Sequence, residues 1–345
     1  MSKKLFDFCI GNPPYQSETA NQGDRANPVY DKFMDAAFDV AECVELIHPA
    51  RFLFNAGQTK KAWNKKMLND EHFKVLSYEP NANKVFQNTE IKGGVAITIR
   101  NEGKHYGSIK VFTKYPELNN IMKTVFASHN ISCLNNIISA RGTYRLTDAF
   151  FKKYPYAKER LGKGTGNMIA SNFFDKMPEA WVEKPVDKNQ YIGILSRVKN
   201  KRQYCYILKE YVRDNIYIDS YNVASPKSNG NGIFGEVLTS TEIIVPGCGA
   251  TDTFINIGAF DTRYEAESLT KYIKSKFLRT MLGIKKVTQD NSRDMWSMIP
   301  LQDYTSNSDI DWSRSVHEID LQLYRKYGLR NEEIDFIETN VKEMI

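Results

Sequence analysis

Residues 10 to 15 read Ile-Gly-Asn-Pro-Pro-Tyr, and the two consecutive prolines constrain this chain more than any other feature. The stretch before them, Leu5 to Ile10, is short, apolar and rich in aromatic and branched residues, as expected of a strand covered on both faces. Gly11 ends it. Two prolines remove two backbone donors and fix two φ angles, so Asn12 and Tyr15 are held in a stiff, sharply turned loop. The loop falls at the C-terminal edge of the strand, where open α/β sheets place their ligand sites.

Beyond the loop, helix and strand alternate. Asn27-Pro28 is a cap and first-turn pair, and Tyr30, Phe33, Met34, Ala37 and Ala41 repeat at helical spacing. Val44 to Ile47 reads as a strand ended by Pro49, Trp63 and Met67 mark a helix, and Phe73 to Tyr78 is the next strand. From Gly94 to Arg100, Val95, Ile97 and Ile99 alternate with Ala96, Thr98 and Arg100, a strand with one face buried. This is the signature of a mainly parallel, doubly wound α/β sheet over 1–104. Residues 105–260 are less regular, with strands at Tyr191–Leu195 and Glu242–Val245, and read as a mixed α+β domain. Asp261-Thr262 then caps a helix whose apolar face is Ala266, Leu269, Ile273 and Phe277, closed by Gly283. Residues 261–345 form a helical C-terminal region, with two further helices broken at Gly328.

Composition removes several classes. With 41% hydrophobic and 26% charged residues over 345, the chain is an ordinary globular protein long enough for two or three domains. Its five cysteines, at 9, 43, 133, 205 and 248, fall in no metal-ligand spacing, so neither a zinc site nor a disulfide framework is expected. No stretch approaches the length of a membrane span, and a cytoplasmic location is expected. The net charge of +6 suits a polyanion partner without requiring one.

Asn-Pro-Pro-Tyr offers an amide oxygen, a backbone carbonyl and an aromatic face in one rigid turn. Those groups suit a planar ring carrying an exocyclic amine. The Asn12 side-chain oxygen and the Pro13 carbonyl can each accept one amine hydrogen while Tyr15 stacks on the ring. Drawing on both hydrogens holds the nitrogen lone pair off the ring and leaves it free to attack an electrophilic methyl group. The plain alternative is an ordinary turn after a strand.

Residues 12 to 15, with "VELIHPARFLF" and "KVFQNTEIKGGVAITIR" after them, resemble the catalytic half of the amino-group DNA methyltransferases. More narrowly, the chain is similar to the adenine-specific methylases of type II restriction-modification systems. "KVTQDNSRDMWSMIPLQDY" and "LYRKYGLRNEEIDFIE" extend the resemblance to the C-terminal region. The resemblance implies methyl transfer from S-adenosylmethionine to adenine N6 in duplex DNA. It further implies that Asn12, Pro13, Pro14 and Tyr15 form the catalytic loop, and that Phe86 contacts the flipped base from its edge. For Phe86 a core aromatic is an equal alternative. The fold implied is a partial Rossmann-like methyltransferase sheet, with 105–260 as the target-recognition domain.

The family's cofactor half, a glycine turn after the first strand and an acidic residue after the next, is not evident, since only eleven residues precede the loop. Val245 to Gly249 is the one later candidate, and the segment after Gly249 reads as strand rather than helix, so the candidate is read as a loop. Either a partner polypeptide supplies that half, or the chain is a truncated methylase remnant, or it is a specificity subunit that binds DNA without chemistry. A half-sheet of this kind would expose an edge and an apolar face. For DNA contact, Arg197, Lys199, Lys201 and Arg202 form the densest basic cluster of the middle domain, and the loop carrying Arg141 and Arg145 is a further candidate. Solvated surface turns explain both as well. Lys271, Lys274, Lys276 and Arg279, placed on the polar side of the capped helix, are further candidates that snorkelling surface lysines explain about as well. No Asp…Glu-x-Lys nuclease site comes after a strand.

Overall fold

The computed structural model describes all residues except 1–3, 18–26, 56–57, 88–90, 92, 128–130, 163, 165–166, 186, 188–189, 200, 287 and 345. The polar stretch expected from Gln16 to Arg25 thus lies, from residue 18 onward, outside the described residues. The fold is mixed α/β, and its contacts divide it into two compact units, Met1–Asn119 and Asn120–Ile345.

The first unit is built on four strands, β1 (Phe6–Gly11), β2 (Ala41–Pro49), β3 (Phe73–Glu79) and β4 (Val95–Asn101), in the order β1-β2-β4-β3. Helix α1 (Tyr30–Val40) connects β1 to β2, and α2 (Lys61–Asn69) precedes β3. Only β1 and β2 run parallel; β4 is antiparallel to both its neighbours. The sheet is therefore mixed, not mainly parallel. Sequence alternation shows where strands lie but not their direction, and the connection from Glu79 to Val95 contains no described α-helix of the kind that carries a parallel crossover. Met34 and Phe38 of α1, Phe52, Leu53, Met67 and Phe73 close one face of the sheet.

Two local expectations change. Helix α1 starts at Tyr30, not at Asn27-Pro28. Asn27 and Pro28 instead form a short antiparallel bridge with Gln16 and Ser17, in which Ser17 N–H bonds the Asn27 carbonyl at 2.9 Å and Val29 N–H bonds that of Tyr15 at 3.2 Å. The bridge closes the proline loop. In β4 the buried residues are Val95, Ala96 and Thr98, while Ile97 and Ile99 are only half-buried. A strand flanked on both sides buries both faces in part.

The expectation that β1 is covered on both faces is wrong for this chain. Phe6, Phe8 and Ile10 project to one face and are 59%, 70% and 78% exposed, and Leu5 is 75% exposed. Only Cys9, on the other face, packs against the core. Among the described strands β1 pairs with β2 alone, so its other edge is open.

The second unit contains α3 (Pro116–Val125, running through the division), α4 (Asp148–Lys153), α5 (Ala157–Leu161) and α6 (Phe173–Lys176). It also contains β5 (Tyr191–Val198), β6 (Lys201–Leu208), β7 (Tyr221–Pro226), β8 (Glu242–Ile244), β9 (Cys248–Ala250) and β10 (Phe254–Phe260). These make two three-stranded sheets, β6-β5-β9 and β10-β7-β8. Leu195 and Tyr204 of the first pack on Ala224, Ile244 and Phe254 of the second. Strands β5 and β8 occupy the expected segments. The Val245–Gly249 turn leads into β9 and β10, with no helix directly after it.

Helices α7 (Arg263–Lys274), α8 (Lys276–Gly283), α9 (Val316–Tyr327) and α10 (Asn331–Asn340) complete the unit. Thr262 and Glu265 form a reciprocal capping box, as the Asp261-Thr262 signal predicts. The single helix expected to Gly283 is two, because Ser275 leaves the helical conformation and its side chain caps Leu278 N–H. Asp320 of α9 accepts from Lys276 and Phe277 N–H and completes the second N-terminus. Gly328, at φ 64, ends α9 where the sequence places the break.

Candidate functional site

Four connections of the first unit emerge at one end of its sheet. The pairings of Gly11 with Leu46, Pro49 with Val95, and Glu79 with Val95 bring together Asn12–Tyr15, Ala50–Asn55, Pro80–Phe86 and the turn before β4. Gly94, at φ +74, is required there, because a Cβ would run into the carbonyl of Glu79 and the Cα of Pro80.

Asn12 and Pro14 are exposed, and Pro13 and Tyr15 are half-buried. Neither the Asn12 carboxamide nor the Pro13 carbonyl takes a hydrogen bond from a described residue. The Tyr15 hydroxyl is buried without a partner among the described residues, and burial pushes it up to about 12. Tyr15 is therefore a neutral ring at any working pH, not a base. Phe86 ends the turn that starts at Asn81, whose side chain caps Asn83 N–H; Phe86 N–H bonds the Ala82 carbonyl at 2.8 Å. The structure brings Phe86 beside Tyr15, ring centroids 6.3 Å apart and planes at 67°, edge to face.

Two residues at this sheet end were not singled out from the sequence. His48 is fully buried; its Nδ1 lies 3.1 Å from the Pro49 carbonyl and its Nε2 2.7 Å from Thr98 Oγ1. Since a carbonyl only accepts, Nδ1 carries the proton and Nε2 accepts from Thr98. Burial holds its pKa down at about 4, so the ring is a neutral strut stacked on Tyr30 and packed against Phe52. Arg51 is exposed, lies against Gly93 and makes no ion pair among the described residues. The segment "HPARFLF" that holds both carried the signal, but burial of a histidine is a tertiary fact.

In the second unit, Arg197, Lys199, Lys201 and Arg202 fall on the β5–β6 hairpin. Arg197 and Arg202 are paired opposite one another on the face that carries Leu195, Tyr204 and Tyr206, and both are exposed. Arg202 lies over the Phe254 ring at 5.2 Å and 3.8 Å from Glu242, so part of its charge is engaged. Lys199 sits in the turn at φ 46, its N–H held by Asp175. Arg141 is exposed and unpaired among the described residues; Arg145 is tied to the Gly142 carbonyl and to Asn167.

Lys271, Lys276 and Arg279 of α7 and α8 are engaged rather than solvated. Lys271 Nζ donates to the carbonyls of Trp312, Ser313 and Arg314, Lys276 pairs with Glu338 at 2.6 Å, and Arg279 is only 3% exposed. They tie the C-terminal helices together. Among the described residues no helix is long and apolar enough to cross a membrane.

Residues 1–86, which hold β1, the proline loop and Phe86, match the family model of the Eco57I restriction-modification methylases. Over 136 residues the chain is 26% identical to a Mycoplasma pneumoniae (strain ATCC 29342 / M129 / Subtype 1) protein described as an uncharacterized adenine-specific methylase, covering 38% of this chain and 32% of that protein. The chain thus spans about a third of that relative's length. Among solved structures it is similar to the type IIG restriction endonuclease BpuSI, at 10% identity over 97% of this chain and 53% of that one, with a TM-score of 0.34. It is likewise similar to the type IIL restriction-modification enzyme MmeI in complex with DNA, at 9% identity over 96% and 56%, with a TM-score of 0.33. At those scores the likeness carries no structural argument.

Proposed function

We propose, starting from a chain whose first 86 residues are of the Eco57I restriction-modification methylase family, that it is a site-specific DNA methyltransferase acting on adenine N6 in duplex DNA. The observation that carries this reading is the pair of acceptors, Asn12 Oδ1 and the Pro13 carbonyl, which take no hydrogen bond from a described residue, next to Tyr15, whose ring meets that of Phe86 edge to face at 6.3 Å. A base must leave the duplex to reach them, at a cost of a few kcal/mol that stacking on Tyr15 partly offsets. The two acceptors then take one hydrogen each from the exocyclic amine. Its lone pair is thereby kept out of conjugation with the ring, which leaves the amine nucleophilic toward an electrophilic methyl group.

The described residues do not fit a site for S-adenosylmethionine. The Val245–Gly249 turn feeds strands, and among the described residues no strand pairs with the outer edge of β1 and Phe6, Phe8 and Ile10 on one of its faces stay exposed. The methyl donor is, in this reading, held with the aid of a further polypeptide layer, of this protein or of a partner, that covers β1. In this reading the sheet of residues 1–104 is half of a Rossmann-like methyltransferase sheet, 105–260 is the recognition domain that reads DNA through Arg141, Arg145 and the 197–202 cluster, and 261–345 is its helical support.

A second reading is favoured by the bare β1 face: a specificity subunit or remnant that binds DNA without chemistry. Purified chain, wild-type or Asn12→Ala, is mixed with labelled S-adenosylmethionine and mixed-sequence duplex DNA, alone and with lysate of source cells from which its gene is deleted: transfer that needs both the lysate and Asn12 supports the first reading, and DNA binding without such transfer the second. DNA binding and no transfer by the chain alone are expected; label in N6-methyladenine without lysate would show that it builds its own cofactor site. Failure to bind DNA would overturn both readings.

A further inference from the structure

Arg51 has no part in the methyl-transfer chemistry, yet its surroundings hold it in place. Its backbone is fixed on both sides: Ala50 N–H bonds the Gly94 carbonyl at 3.0 Å, and Asn55, at φ 51, closes the short 3-10 turn Arg51–Phe54. Its stem lies on Gly93, where a Cβ would stand 2.6 Å from Arg51 Cγ. Gly93, at φ +90, is thus a seat that only glycine leaves open for that side chain. The seat is itself tied down. The Tyr78 hydroxyl donates to the Gly93 carbonyl at 3.3 Å, and the Tyr78 ring packs edge to face on Phe54, at 5.4 Å, in the turn that Arg51 begins.

The braced stem ends in a charge without a counter-charge. Arg51 is exposed and makes no ion pair among the described residues, whereas Lys84, on the Pro80–Phe86 connection at the same sheet end, lies 3.7 Å from Glu79. An arginine normally gives up rotamer freedom when it binds, and a stem already packed in place has less to lose. The proline loop is close by. Val29 N–H bonds the Tyr15 carbonyl at 3.2 Å, and the next residue, Tyr30, packs on Phe52, with ring centroids 6.3 Å apart. Burial pushes the Tyr30 hydroxyl up to about 12, and the Arg51 charge acts against that rise. Tyr30 therefore links the Arg51 turn to the backbone of Tyr15.

We propose that Arg51 grips a DNA backbone phosphate beside the flipped nucleotide. Its planar guanidinium takes two phosphate oxygens at once. A nucleotide that leaves the stack turns about its own backbone, so the phosphates next to it need an anchor in the position the turn gives them. Arg51 supplies that anchor at the sheet end that carries Asn12–Tyr15. The inference rests on the reading of Asn12–Tyr15 as a methylation loop, and it adds a residue that no basic run in the sequence marks. A phosphate grip carries no sequence information, so it strengthens the complex without changing which site is chosen.

The test uses the full chain and a duplex carrying the sequence that the wild-type chain selects from a randomised pool. Uncharged methylphosphonate replaces each phosphate around the adenines of that site in turn, and affinity is measured against salt. One replacement beside the target adenine is expected to weaken wild-type binding about tenfold and to leave Arg51→Ala, already weakened by as much, unchanged. Arg51→Ala is also expected to lower the salt slope by about one and to select the same sequence. Arg51→Lys keeps the charge without the planar fork, and is expected to restore the slope but not the full affinity. If wild-type and Arg51→Ala respond alike to every methylphosphonate and share one salt slope, the inference is overturned and the methylase reading stands. Loss of lysate-dependent methyl transfer in Arg51→Ala with DNA binding unchanged would also overturn it, assigning the guanidinium to the polypeptide layer over β1. A wild-type chain that selects no duplex overturns the inference together with the reading it rests on.

Discussion

At the scale of single residues, the ring of Tyr15 and its hydroxyl play separate parts. The hydroxyl is buried, unpartnered among the described residues and pushed up to about 12, so Tyr15→Phe is expected to keep DNA modification while Tyr15→Ala loses about 1–3 kcal/mol of base stacking. Methylation rates of the two variants in the assembled enzyme check this; equal loss in both would contradict it. His48 makes a different prediction. Its pKa falls from an ordinary 6.5 to about 4 on folding, so its contribution is fully present above pH 6.5 and lost as pH falls toward 4. The shift corresponds to on the order of 3 kcal/mol for the first unit. The place of Asn12 and Tyr15 at a strand end was legible in the sequence, because two prolines after an apolar run leave the backbone little choice. His48 was not, because the pattern that makes a strand does not say which polar side chain will be sealed beneath a helix.

At the scale of elements, the alternation of strand and helix was legible wherever a periodic apolar pattern met a capping signal, as at Thr262 and Gly328. The break at Ser275 was hidden, since the carboxylate that completes the α8 N-terminus belongs to Asp320, far along the chain in α9. Strand β1 shows the same limit in reverse. Its composition states that it wants cover, and the structure leaves Phe6, Phe8 and Ile10 bare. Covering three large apolar side chains is worth on the order of 5 kcal/mol or more, enough to drive strand addition. Phe8→Lys with Ile10→Lys is therefore expected to leave the thermal stability of the isolated chain within about 0.5 kcal/mol, to improve its solubility and to abolish partner-dependent methyl transfer. Unchanged transfer would remove β1 as the docking edge.

At the scale of the whole molecule, the two units should answer pH with opposite signs. Asp320 is buried at the α8 N-terminus and its pKa is raised from 3.8 to about 6, chiefly by desolvation, so its stabilising contribution is present below pH 3.8 and lost as pH rises through 6. As pH rises from about 4 to 6, the first unit gains stability from His48 while the α8–α9 contact of the second loses it. Hydrogen exchange resolved by peptide is expected to show protection moving in opposite directions in Tyr30–Pro49 and Lys276–Tyr327. The central claim, that Asn12 and Pro13 hold a DNA amine for methylation, is met most directly in the cells that carry this gene, where any partner is present. N6-methyladenine is mapped across their genome with the native gene and with Asn12→Ala. The account predicts that one sequence loses its methyl mark throughout the genome while the protein still occupies those sites. A map unchanged by the substitution would contradict it.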